Sequence, residues 1–262
     1  MIKSSIIESS SNKIYKQINA LKTKKERDKS NLFILEGVRL ISEIPKSYNI
    51  SYYALSQSFL DKNDTSSLLD NAPAYILSDK LFSKLSETVT PQGIFAAVQK
   101  KEYSLNDAIK STFPFLVILE NISDPGNLGT IIRTADAAGA DAVLLSKGCV
   151  DLYNPKVIRS TMGSVFHLPV VTDLDLTEAI DFLHKNNVSV YAAHLKAKNY
   201  PYSYDFTKST AILIGNEANG LTDNITSLSD NAVKLPMIGS AESMNASVAC
   251  SILLYEVVRQ RL

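Results

Sequence analysis

The rhythm of apolar residues changes near residue 110 of this 262-residue chain. Before that point a polar, Lys-rich stretch at 11–29 reads as a helix. Short apolar runs follow at 32–35, 50–55, 74–77 and 94–98, with helical patterns from Val38 through Ile41 and at 79–85. This predicts a small α/β unit ending near residue 100. From residue 113 onward, apolar runs at 115–119, 142–145, 165–168, 188–193, 211–214 and 232–235 alternate with helical patterns at 128–138, 155–162, 175–186 and 245–261. Continuous apolar strands separated by helices imply a parallel sheet covered on both faces. The charged stretch 100–111 between the two patterns reads as a linker, giving an α/β chain with domains at 1–105 and 106–262.

Three polar turns, two of them glycine-bearing, each follow one of the later apolar runs. They are Asn121-Ile122-Ser123-Asp124-Pro125-Gly126-Asn127-Leu128-Gly129, Gly215-Asn216-Glu217-Ala218-Asn219-Gly220 and Ser240-Ala241-Glu242-Ser243-Met244-Asn245. Ligands of open parallel sheets bind outside the carboxyl ends of the strands, so the three turns suggest one composite site. Two phosphate-binding motifs fail there. Gly215 and Gly220 have P-loop spacing, but Leu221 stands where the phosphate-binding lysine is required. Gly126 and Gly129 give only G-x-x-G, short of the dinucleotide fingerprint.

Charge and cysteine content narrow the picture further. The chain is neutral overall, yet residues 1–30 carry eight Lys or Arg against three acids. A basic arm of this kind points to a phosphate-rich partner or, equally, to a solvated helix face. Cys149 and Cys250 lie far apart without C-x-x-C spacing, and His167, His184 and His194 lack metal-ligand spacing. Disulfide, zinc and other metal chemistry are therefore not expected. Of the histidines, His194 falls nearest an expected strand end. The N-terminus lacks a signal-peptide pattern and no apolar run is long enough to span a bilayer, so a cytoplasmic protein without membrane attachment is expected.

Together the turns are more specific than either failed motif. Residues 120–139, 212–221 (ILIGNEANGL) and 235–249 (LPMIGSAESMNASVA) resemble, in order and spacing, the three signatures of the SpoU/TrmH family of RNA ribose 2′-O-methyltransferases. The resemblance covers residues 113–262. Residues 11–99, including Leu35-Glu36-Gly37, are more loosely similar to the family's N-terminal substrate-binding domain, which has an L30e-like ribosomal-protein fold. The resemblance implies a deep trefoil knot in the C-terminal domain, S-adenosylmethionine as cofactor, RNA as partner and a homodimer whose active sites are completed by the partner subunit. Ribosomal RNA, most simply 23S rRNA, is the implied substrate. A tRNA substrate and a catalytically silent RNA-binding homologue remain the alternatives.

The same resemblance assigns residues. Asn127, Arg133, Glu217, Ser243 and Asn245 match the family's active-site polar positions; Gly215, Leu235 and Met244, with Ile238 beside them, match the cofactor-binding positions. Met244 and Ala246 stand where Leu and Val are common in the family, and both remain apolar. Read without the resemblance, Arg133 is equally a helix-surface charge, Glu217 an acid at a helix N-terminus, and Ser243 and Asn245 helix caps. Asn127 and Arg133, nearly two turns apart, are expected on a shared side of their helix. Methyl transfer to a 2′-hydroxyl needs a positioned oxygen, stabilisation of its developing charge and an exit for its proton. A guanidinium resists deprotonation, which favours Arg133 as a phosphate clamp over a general base.

Overall fold

The structure, a computed structural model, describes residues 2–65, 68–69 and 72–262. The chain divides into two compact units, Met1–Lys101 with Tyr153–Phe166, and Glu102–Leu152 with His167–Leu262. The linker expected at 100–111 thus contains the first crossing between them. Residues 153–166, which sequence reasoning placed in the second domain, belong instead to the first unit.

The first unit is built on a five-stranded sheet, ordered β1-β4-β3-β5-β2. Strands β1 (Ile2–Ile7), β4 (Ala74–Leu77) and β3 (Ile50–Ser56) run parallel, whereas β5 (Ile94–Gln99) is antiparallel to β3 and to β2 (Leu32–Glu36). Its helices are α1 (Lys13–Ala20), α2 (Lys24–Ser30), α3 (Val38–Ser42), α4 (Gln57–Lys62) and α5 (Asp79–Leu85). The single helix expected at 11–29 is therefore two. Arg27, only 2% exposed, donates from Nη1 to the carbonyls of Leu21 and Lys22 at 2.9 and 2.8 Å. Leu21 is the C-cap of α1, whose carbonyl the helix end leaves without a helical partner, and Lys22 directly follows it. One charge of the basic arm is thus structural. Helix α8 (Pro155–Thr161) completes this unit, and the Tyr153 and Phe166 rings lie 4.6 and 6.5 Å from that of fully buried Phe33.

The second unit holds a six-stranded sheet, ordered β11-β9-β10-β6-β7-β8, in which every pairing is parallel. The strands are β6 (Phe115–Leu119), β7 (Ala142–Ser146), β8 (Val170–Leu174), β9 (Ser189–Ala193), β10 (Thr210–Ile214) and β11 (Asn231–Val233). Every residue of β6, β7 and β10 is buried, as a parallel sheet covered on both faces requires. Helices α6 (Leu105–Ala108), α7 (Pro125–Ala137), α9 (Leu176–Lys185), α10 (Asp223–Leu228) and α11 (Ala246–Arg261) connect and cover them.

The strand expected at 165–168 is instead a 3-10 turn, Ser164–Phe166, and β8 starts only at Val170. Met162 closes α8 in the left-handed region at φ 52° and Gly163 follows at φ 100°, so the chain turns where an apolar run suggested extension. Because β6, β9, β10 and β11 all point the same way, the loops after them gather at one end of the sheet. That end carries the site.

Candidate active site

The turn after β6 leads into α7 through two local devices. Asp124 is the N-cap, its Oδ1 accepting from the Asn127 N–H at 2.8 Å, and Pro125 fills the first helical position, where its missing N–H costs nothing. This sets Asn127, 9% exposed, at the base of the turn. Its Nδ2 donates to Glu217 Oε1 at 3.0 Å, while its Oδ1 accepts from Asn245 Nδ2 at 2.9 Å and from Ser247 Oγ at 3.3 Å. One amide thereby joins all three turns.

Glu217 is held from several sides. Beyond Asn127, the Ser123 N–H and hydroxyl, the Asp124 N–H and Asn216 Nδ2 donate to its two oxygens over 3.1–3.3 Å. Burial raises the affinity of this carboxyl for its proton. The donors from Asn127 and from the N–H groups of Glu217, Asp124 and Ser123 outweigh that and bring its pKa down to about 2. The group is a fixed anion at neutral pH, with its charge committed to ordering the turns.

Asn245 is a helix cap, as one reading of the sequence has it, and also a link between turns. Its Oδ1 caps α11 by accepting from the Ser247 and Val248 N–H groups, and its Nδ2 reaches Asn127. Ser247, buried, extends the cluster by donating to Asn245 Oδ1 at 2.6 Å. Sequence reasoning missed Ser247, although its place two residues inside the α11 cap was a usable signal. It also missed Asn216, whose Oδ1 accepts from the Ala218 and Asn219 N–H groups and whose Nδ2 donates to the Asn121 carbonyl. Glu120, 5% exposed, is a further unpredicted member: it accepts from the Thr222 N–H and hydroxyl at 2.8 and 2.7 Å, tying the end of β6 to the start of α10.

Beside this cluster a cavity of about 420 Å³ opens at the ends of β9, β10 and β11. Its wall includes Gly215, Glu217, Leu235, Ser243 and Met244, together with His194 and Lys234. Its size lies within the range of roughly 300–1,000 Å³ usual for small-molecule sites. Gly215 is required by the loop itself: a Cβ there would lie under 3.0 Å from the backbone of Gly220 and Leu221. The two arms of that loop are bridged by the Asn216 and Gly220 N–H groups, each donating to the other's carbonyl.

Two expected site residues stand apart. Ile238 is 97% exposed and does not line the cavity. Arg133 is exposed on α7 and does not line it either, and the expected shared side with Asn127 does not hold. Six residues at about 100° each fall about 120° short of two turns. The helix therefore buries Asn127 and turns Arg133 to solvent. Among the described residues no group of His, Cys, Asp and Glu side chains could hold a metal, and Cys149 and Cys250 are free. Among the described residues no helix is long and apolar enough to cross a membrane.

A parallel α/β sheet whose strand ends carry a roomy, partly apolar cavity beside an amide-rich cluster has the architecture of a small-molecule-binding α/β domain. Comparison with known proteins narrows the class. Residues 114–255 match the SpoU rRNA Methylase family, and residues 12–96 match the MRM3-like substrate binding domain. The 23S rRNA (guanosine(2553)-2′-O)-methyltransferase of Bacillus subtilis is 40% identical over 255 residues, 96% of this chain and 98% of that one. The SpoU methyltransferase AviRb from Streptomyces viridochromogenes, in complex with AdoMet, superposes with a TM-score of 0.88 at 29% identity, over 95% of this chain and 98% of the other. AdoMet-bound rRNA methyltransferase from Sinorhizobium meliloti gives 0.86 at 29% identity, over 100% and 99%. The chain belongs to the SpoU rRNA methylase family. It is an S-adenosylmethionine-dependent RNA ribose 2′-O-methyltransferase.

Proposed function

We propose that the chain methylates a ribose of 23S rRNA, with the unit Glu102–Leu152 and His167–Leu262 as the catalytic domain and the unit Met1–Lys101 with Tyr153–Phe166 as the reader of the RNA. The observation that carries this reading is the Asn127 amide, which locks the three turns together beside the cavity. The similarity of an rRNA enzyme over 96% of this chain favours rRNA over tRNA, because both units are then accounted for. The intact cluster speaks against a silent homologue.

S-adenosylmethionine would supply an already activated methyl group as a sulfonium. Gly215, Leu235 and Met244 would hold it, and all three line the cavity, where loop backbone lies beside apolar side chains such as Ile214 and Leu253. Ile238 would join them only by a movement of its loop. A knotted path of the loops after β10 and β11 is part of this proposal. Ser243, on the cavity wall, would place the acceptor ribose, while Asn127, Glu217 and Asn245 fix the loops around it.

Arg133 enters through a homodimer. On α11, Val248, Ile252 and Tyr255 are 48%, 44% and 52% exposed and follow i, i+4, i+7 spacing, which forms one apolar stripe on the helix surface. Such a stripe suits a second copy of the chain. Arg133, outside its own cavity, would then serve the partner's site as a phosphate clamp and stabiliser of charge on the acceptor oxygen. Mapping ribose methylation in 23S rRNA from cells lacking the protein tests the substrate. One missing 2′-O-methyl group is the expected result; an unchanged 23S map with a methyl group missing from tRNA would select the alternative.

A further inference from the structure

The loop after β9 carries a feature that the cofactor cavity does not absorb. Tyr200 and Tyr202 stack with ring centroids 5.4 Å apart and planes at 27°, and Tyr202 is 63% exposed. Lys234 Nζ lies 5.4 Å from the Tyr200 ring centre, and Lys234 also lines the cavity. The stack therefore borders the mouth of the active site. Lys196 and Lys198 are exposed on the same loop. No ion pair among the described residues neutralises Lys196, Lys198 or Lys234.

The loop is held firmly. The Lys234 N–H donates to the Asn199 carbonyl at 3.1 Å, Asn199 Nδ2 donates to the Tyr204 hydroxyl at 3.0 Å, and that hydroxyl donates to the Ala232 carbonyl at 3.1 Å. Below it, the rings of Tyr191, Tyr204 and Phe206 pack against one another. A large aromatic face kept in water on a braced loop, with exposed lysines on the same loop and Lys234 beside it, has the composition of a site for unpaired nucleotides. Bases stack on exposed aromatic rings while lysines meet the phosphates.

We propose that Tyr202, backed by Tyr200, is a stacking platform for an unpaired base of the RNA that flanks the methylated nucleotide, with Lys196 and Lys198 contacting its phosphates. This rests on the reading of the chain as an RNA methyltransferase. It implies that the target nucleotide lies in a loop or bulge, since a base stacked within a duplex has no free face to offer.

The test compares full-length wild-type protein with Tyr202→Ala and Tyr202→Phe. Binding of a fluorescein-labelled unstructured RNA oligonucleotide is read by anisotropy, S-adenosylmethionine binding by calorimetry and oligomeric state by sedimentation. Tyr202→Ala is expected to weaken RNA binding about tenfold, the scale of one lost base stack. Tyr202→Phe should restore it, with cofactor affinity and oligomeric state unchanged in both. RNA affinity unchanged in Tyr202→Ala, beside a wild type that methylates RNA, overturns the platform alone. A change of oligomeric state in Tyr202→Ala would assign this face to an interface between copies and also overturn it. A wild type that neither binds nor methylates RNA overturns the enzyme reading as well.

Discussion

The side-chain amide of Asn127 donates to Glu217 at 3.0 Å across ninety residues of sequence, and its carbonyl oxygen faces Asn245 and Ser247. An amide offers a donor to one neighbour and an acceptor to the others from a single rigid group. Asn127→Ala removes all three contacts and leaves partly buried polar groups unsatisfied, at a cost of about 1–3 kcal/mol. Asn127→Asp adds a carboxylate against the Glu217 anion. Methyl transfer should fall at least roughly tenfold in both, on the scale of that loss. Thermal denaturation should show Asp as the more destabilising change, and equal melting temperatures would contradict the donor role.

The depressed Glu217 pKa makes a prediction about acid. Its folded value, about 2, lies below the ordinary 4.5, so the ionised carboxylate favours the folded state above pH 4.5. That contribution fades as pH falls from 4.5 towards 2. Denaturant unfolding of wild type and Glu217→Gln should show a stability difference that is constant near neutrality and shrinks below pH 4.5. A difference that widens in acid would contradict the assigned hydrogen bonds.

Gly215→Ala forces a methyl group against the backbone of Gly220 and Leu221, which cannot yield as a flexible side chain could. The expected outcome is a folded protein by circular dichroism whose S-adenosylmethionine affinity, measured by calorimetry, falls at least tenfold. Wild-type affinity would show that the loop does not form the cofactor wall.

The role given to Arg133 predicts complementation between subunits. Arg133→Ala and Gly215→Ala homodimers should both be inactive while retaining the fold. Mixed and refolded together, they should regain part of the activity, because one site in each heterodimer draws both intact residues. Ile252→Asp on the α11 stripe should yield monomers in sedimentation and abolish transfer. Full activity in such monomers would return Arg133 to its own chain's site.

The sheet of the second unit was legible because β6, β7 and β10 are apolar at nearly every position and are covered on both faces. The turns after β6 and β10 were legible for the same reason: polar residues directly after buried strands have nowhere else to go. Strand β1 was not, since Ile2-Lys3-Ser4-Ser5-Ile6-Ile7 has little pattern and pairs with β4, some seventy residues away. Tyr153, Val157, Ile158 and Phe166 announced burial but not the partner, so the segment's place in the first unit was hidden. Ile238 shows the converse: an apolar residue is not thereby a buried one. The hydrogen bonds of Asn127 link turns that only the fold brings together, beyond the reach of any local pattern.

The reaction assigned to the site is methyl transfer to a ribose oxygen. Purified protein, in-vitro-transcribed 23S rRNA and S-adenosylmethionine bearing a labelled methyl group, followed by digestion to nucleosides and mass spectrometry, tests it directly. Label is expected in a single 2′-O-methylnucleoside, absent when the protein carries Arg133→Ala. Label on a base, or no label in any nucleoside from RNA treated with wild-type protein, would contradict it.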